Sequence, residues 1–303
     1  MGIRVVQRRS TVFGIVLLLV LFASGAILTV RLLLGGRVPG LTPRRVAVLP
    51  IVGIIDSERT FVRDLETFRD DPSVRAFVLE IRSPGGGVGA SQAIHATLTR
   101  LRQEDERPVV AWIGDVGASG GYYVALPADS IFALPGSITG SIGVIMQFPN
   151  AEELLRKVGV ELEVVKSGAL KDLGSPVREL SEPEREVLQG LVDDVWEQFV
   201  GAVAEGRDMP REEVVPLADG RVFSGEQALE LGLVDGIGTL QDAVDAAGRM
   251  SGIGDRPHVV RPLERRVGLF DLVGGIEESR LAEWIRSISS GARSAPRIRY
   301  EWP

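Results

Sequence analysis

The 303-residue chain has no cysteine, two histidines and only three lysines. Without cysteine there is no disulfide framework, no thiolate metal site and no cysteine nucleophile. A histidine base has just two candidates, His95 and His258. Lysine is scarce in a more pointed way: of 34 basic residues all but Lys157, Lys166 and Lys171 are arginine, and those three lie close together. Codon bias accounts for most of that imbalance. Arginine cannot lose its proton in a protein, however, whereas a buried lysine can, so the cluster marks a place where a neutral amine has a use. An excess of positive charge is missing too. A formal charge of -7 excludes a generally basic nucleic-acid binder, and 45% hydrophobic residues exclude a disordered chain.

The chain is long enough for one large domain or two small ones. Its charge is unevenly spread. Residues 1–37 carry Arg4, Arg8, Arg9, Arg31 and Arg37 and no acid, and between them Thr11–Val30 is an uncharged run rich in Leu, Val and Ile. At 1.5 Å per residue such a run spans a bilayer's hydrocarbon core, so a membrane anchor over residues 11–30 is expected. Ala23-Ser24-Gly25-Ala26 offers a cut site for the rival reading, a cleaved signal peptide, but the run exceeds the usual apolar region of one. Arginines on both flanks leave orientation open by charge alone; a catalytic domain outside the cytoplasm is expected. The sequence divides into a basic anchor segment (1–37), a Gly/Pro linker (38–45), a domain over 46–255, and a basic extension (256–303).

Within the domain, apolar runs alternate with helical spacing. Strands are expected at Val46–Ile55, Val74–Ile81, Val109–Ile113, Ser130–Ala133, Ile142–Met146 and Leu162–Val165. Helices are expected around Phe61–Phe68, Ala90–Leu101, Glu182–Glu205, Ser224–Leu231 and Leu240–Arg249. This alternation predicts an α/β fold with a largely parallel sheet. In the extension, Leu281, Trp284, Ile285 and Ile288 form an apolar stripe that suits packing on the domain or on a neighbouring subunit.

Two glycine clusters follow expected strands. Ser83-Pro84-Gly85-Gly86-Gly87 lets backbone N–H groups face a ligand with no side chain in the way, which suits an oxyanion; the spacing does not fit a Walker A loop. Gly117-Ala118-Ser119-Gly120-Gly121 sets a serine at a strand-to-helix turn, the position of a nucleophile whose neighbouring N–H points to the same spot. For the base, one reading takes His258, in the chain order of an α/β-hydrolase, with Asp219 or Asp235 as its acid. The other takes Lys171 or Lys166, as a lysine made neutral by desolvation. Lys157, on an amphipathic helix, is expected to be solvated. His95 reads as a helix-surface or core residue. A scaffold that keeps the fold without catalysis is a third reading.

Ser83–Gly87, the run GASGGYY at Gly117–Tyr123, Gly140–Val144, KSGALKDLGSP at Lys166–Pro176 and Gly220–Gly238 together resemble the short form of bacterial signal peptide peptidase A, over roughly residues 46–250. The resemblance implies a Clp protease/crotonase-type fold of repeated β-β-α units. It implies an ATP-independent, membrane-anchored serine endopeptidase that degrades residual signal peptides and needs no cofactor or metal. By position, Ser119 matches the nucleophile, Lys171 the general base, Gly86 and Gly120 the oxyanion donors, and Ser141 the residue orienting the lysine amine. Gly85 and Gly87 match backbone that binds the substrate peptide. Family members form dome-like homo-oligomers, some with each site built across two subunits. No nucleic-acid partner is implied.

Overall fold

The computed structural model describes residues 17–26, 29, 43–263 and the backbone of 299–301. The chain divides into two units after Arg44. In the first, residues 17–26 are helical. No helix among the described residues is long and apolar enough to cross a membrane, and the remainder of the expected span lies outside them. The stripe at Leu281–Ile288 also lies outside the described residues.

The second unit is a mixed α/β structure. Its elements in chain order are β1 (Arg45–Val52), α1 (Arg59–Arg69), β2 (Val74–Ser83), β3 (Gly85–Gly87), α2 (Val88–Glu104), β4 (Val109–Ala118), α3 (Gly120–Tyr123), β5 (Ser130–Ala133), β6 (Ile138–Gly140), α4 (Glu152–Lys157), α5 (Glu182–Arg207), α6 (Arg211–Val214), β7 (Val222–Ser224), α7 (Gly225–Glu230), β8 (Gly236–Ile237), α8 (Leu240–Met250), β9 (His258–Val260) and β10 (Arg299–Glu301). The main sheet runs β7-β6-β4-β2-β1-β9, with β5 paired to β4 and β8 to β5. Every pair in it is parallel except β6 with β7.

The continuous apolar runs of β1, β2 and β4 follow from burial on both faces. One face packs Val46, Val48, Val78, Val110 and Trp112 against Ala243, Val244 and Ala247 of α8. The other packs Leu49, Phe77, Leu79 and Ile113 in a cluster with Ile94 and Leu98 of α2 and Phe199 and Val203 of α5. Helix starts are capped where the sequence placed Ser or Thr: Ser224 Oγ accepts from Gln227 N–H, and Thr239 Oγ1 accepts from Asp242 N–H. Such caps contribute about 1 kcal/mol each.

Two expected strands do not form. Ile142–Met146 has only an isolated bridge, and the pairing falls instead on β6, a little earlier. Leu162–Val165 belongs to no element: its backbone pairs with no strand among the described residues, and these side chains are exposed.

What matters for the site is the path of β4. Its first half pairs with β5 (Val110–Ile113) and its second with β6 (Val116–Ala118). At the fork, Ser137 Oγ donates to Gly114 O at 2.5 Å. Gly117 and Ala118 are thereby held between Ser83 of β2 and Gly140 of β6, at the carboxyl ends of the parallel strands. That end of an open α/β sheet is where ligands generally bind.

Candidate active site

Ser119 follows β4 directly and caps α3. Its N–H donates to Gly140 O at 2.8 Å, and its carbonyl accepts from Tyr122 and Tyr123 N–H. Its backbone is at φ 54°, ψ −119°, a region that non-glycine residues rarely enter. Ser141, directly after β6, is also at positive φ, 49°. Since β4 and β6 are paired in register at Ala118 and Gly140, the two strained serines leave adjacent strands side by side. Strain of this kind costs on the order of 1–3 kcal/mol per residue and persists where the surroundings over-determine it. Here they do: both serines are buried, and Ser141 N–H donates to Arg221 O at 2.8 Å. Gly121 must be glycine because a Cβ would stand 2.5 Å from Ser83 O, so α3 sits tightly against the end of β2. The first N–H groups of α3, Gly120 among them, have no partner within the helix.

The first glycine cluster forms a short strand, β3. Ile55 N–H donates to Gly85 O, and Gly87 N–H donates to Ile55 O, at 2.9 and 2.7 Å. Gly86 lies so close to Ile55 that a Cβ would stand 2.3 Å from its carbonyl oxygen. Successive residues of a strand turn their N–H groups to opposite edges, so Gly86 faces away from Ile55. On that far edge lies β10, antiparallel, with Tyr300 opposite Gly86 and Glu301 opposite Gly85. Ser83 Oγ, wholly buried, accepts from Gly85 N–H at 3.1 Å and fixes the turn into β3. Ile55 and Ser83 support the glycine backbone, and no local pattern marks Ile55 for that role.

The histidine reading does not survive the geometry. His258 begins β9 and pairs with Arg45, which in turn pairs with Val74, at the amino ends of the strands. Ser119 lies past Gly117, which pairs with Ser83 at the carboxyl end. From Val74 to Ser83 a strand advances roughly 30 Å at about 3.3 Å per residue, far beyond hydrogen-bond reach. Both proposed acids are also engaged elsewhere: Asp235 with Arg207 and Ile131 N–H, Asp219 with Arg221. His95, half-buried on α2, stacks 4.7 Å from the Tyr123 ring, and burial lowers its pKa against the opposing pull of Glu205.

The lysines lie on a segment that stands off the domain. Lys157 is exposed on α4 and pairs with Glu153 at 3.1 Å. Lys166 Nζ donates to Asp172 Oδ1 at 2.6 Å and to Ala169 O at 2.9 Å, which occupies it as a partner of Asp172. Lys171 is exposed, and its backbone N–H closes a turn onto Gly168 O. Among the described residues no hydrogen bond joins Lys171 to Ser119 or Ser141. Ser119, Ser141, Gly120 and the Gly85–Gly87 strand are thus brought together within one chain, and Lys171 is not brought to them.

The sequence profile of peptidase family S49 matches residues 101–253. The chain belongs to that family. Over 215 residues it is 45% identical to a Synechocystis sp. protein that bears the name of a protease, covering 70% of this chain and 76% of that one. It is 42% identical over 190 residues to an Enterococcus faecium protein named for signal peptide peptidase SppA, covering 63% of this chain and 55% of that one. A Methanocaldococcus jannaschii protein, also named as a protease, is 36% identical over 214 residues, covering 71% of this chain and 68% of that one. The chain is a serine peptidase of the signal peptide peptidase A family. The matched stretch of the family contains Ser119, Ser141 and Lys171.

Proposed function

We propose that the chain is a membrane-anchored, ATP-independent endopeptidase that uses Ser119 as nucleophile and Lys171 as general base, on a Clp protease/crotonase-type fold, to degrade residual signal peptides and similar short peptides. The observation that carries the peptide-binding part is the edge of β3. It accepts an extended strand, β10, with Gly86 facing it and the Ser119–Gly120 turn close by. A substrate strand added there gains main-chain hydrogen bonds, and alternate side chains fall into pockets that set specificity.

On this reading neutral Lys171 takes the Ser119 proton as Oγ attacks the scissile carbonyl. The N–H groups of Gly86 and Gly120 hold the developing oxyanion. The lysine, now charged, protonates the leaving amine, and water repeats the sequence to free the acyl group. Ser141 orients the lysine amine.

Exposure of Lys171 supports a dyad completed by a neighbouring copy. On the same segment Leu154, Val158, Val160, Leu162, Val164 and Val165 are exposed at 45 to 101%, an apolar surface of the kind that subunit contacts cover. The homo-oligomer is therefore part of the proposal, as is an anchor over residues 11–30 that holds the domain at the extracytoplasmic face.

The test is peptide cleavage by the full chain in detergent. Ser119→Ala and Lys171→Ala are each expected to be inactive, and Lys171→Arg no better, because arginine cannot act as a base. His258→Ala is expected to keep wild-type activity, with an optimum at neutral to alkaline pH. Co-assembly of Ser119→Ala with Lys171→Ala subunits should restore roughly a quarter of the sites if subunits mix at random. An active Lys171→Ala enzyme overturns the dyad, and no recovery on mixing overturns its assembly across subunits.

A further inference from the structure

Side-chain bonds from Arg178 tie the Lys171 turn to the start of α5. Arg178 Nε donates to Asp172 Oδ2 at 3.0 Å, and a second guanidinium nitrogen donates to the Asp172 carbonyl at 3.2 Å. The rest of the guanidinium forks onto Glu184, at 2.7 Å to Oε2 and 2.5 Å to Oε1. Glu184 is buried in the first turn of α5, where its Oε2 also accepts from the N–H and Oγ of Ser181. Lys166 holds the other oxygen of Asp172. At the foot of the segment, Ala151 N–H donates to Pro176 O and Glu179 N–H to Glu152 Oε2. Among the described residues no strand ladder joins the turn to the sheet; its own backbone bonds close it, and these side chains connect it to α5.

We propose that Arg178 is a positioning residue for Lys171, its guanidinium spanning Asp172 and the buried Glu184 so as to lock the Lys171 turn to the start of α5. The proposal rests on Lys171 being the general base. A planar fork is needed because two carboxylates and a carbonyl are engaged at once, and a point charge cannot satisfy that geometry. The clamp has an electrostatic role as well. Asp172 is next to Lys171, and a bare carboxylate there favours the charged amine, which is useless as a base. Lys166 and Arg178 occupy both oxygens of Asp172, and Arg178 and Ser181 occupy those of Glu184. Glu152 and Glu179 lie at the foot, and Glu153, Glu161 and Glu163 are exposed on the same segment. Arg178 holds the Glu184 carboxyl down to about 2. The clamp is therefore intact above the ordinary glutamate value and is lost only as pH falls toward that number.

The test compares Arg178→Ala, Arg178→Lys and Arg178→Ala/Asp172→Asn in the full chain, with Lys171→Ala alongside. Active sites are counted with a serine-directed probe, so that rates are per labelled site. Arg178→Ala is expected to lower kcat by about tenfold or more, as a misplaced catalytic group does, with little change in KM. The ionisation that limits its rate is expected to move to higher pH, and Arg178→Ala/Asp172→Asn to move it back while kcat stays low. Arg178→Lys should keep the wild-type pH profile, having kept the charge, and still lose rate, having lost the fork. A loss confined to the number of labelled sites, with rate per site and pH profile unchanged, makes Arg178 merely structural and overturns the proposal. So does a wild-type Arg178→Ala enzyme. Activity in Lys171→Ala would instead sink the base assignment beneath it, an outcome separate from both.

Discussion

The Ser119 platform and the lysine-bearing segment are built in opposite ways. The platform, made of β3, the Ser119 turn and Ser141, rests on the ends of parallel strands in the core, and its backbone is held by hydrogen bonds on every side. Its glycines are required by close approach: Gly86 against Ile55, Gly121 against Ser83. Among the described residues the segment from α4 to Pro176 has no ladder; it has exposed apolar side chains and an ionic clamp at Arg178. A core can bear the cost of strained serines because the surrounding sheet enforces them. A segment without a core needs something else to cover its apolar face and fix its lysine. That contrast is what the proposed dyad across subunits requires: a serine set by its own chain and a lysine on a segment left for a neighbouring copy to cover.

The comparison breaks first at Gly86. Gly86→Ala keeps the N–H but sets a Cβ 2.3 Å from Ile55 O, so the strand must shift. Its kcat/KM is expected to fall by about 100-fold or more, as when an oxyanion donor is lost, measured by peptide cleavage with serine labelling to check the fold. An unaltered rate would show that this strand is not the oxyanion support. A smaller loss, on the order of tenfold, is expected from Leu162→Asp/Val165→Asp, which places charge on the exposed segment without touching the platform. Sedimentation should show smaller assemblies and serine labelling should persist; a normal assembly with normal activity would leave the segment without the role argued for it. The mildest effect concerns β10. It occupies the edge proposed for substrate, so removing residues 299–303 should lower KM by about two- to threefold, through loss of a competitor that binds weakly. An unchanged KM would mean that substrate binds elsewhere than the β3 edge.

Much of the platform was legible in the sequence. Apolar runs marked β1, β2 and β4, because parallel strands buried on both faces need them, and glycines after β2 and β4 marked the turns. The strand expected at Leu162–Val165 misled, since alternating apolar residues look the same whether they pair in a sheet or stand exposed. Nothing local announced that Ile55 would brace Gly86, or that Arg178 would bridge Asp172 to Glu184. Those partners are separated in sequence or joined by geometry that spacing does not encode.

By itself the sequence determined the chemistry available: no thiol, two imidazoles, three amines, and a serine among glycines. It also marked where β1, β2 and β4 would lie, because hydrophobic periodicity and turn residues are local properties. Which of those groups can meet was set by the folded chain. It set His258 at the wrong end of the sheet and engaged Lys166 with Asp172. It left Lys171 exposed, next to an Asp172 that Lys166 and Arg178 engage. Which groups meet depends on strand order and register, which are fixed by contacts across the whole core.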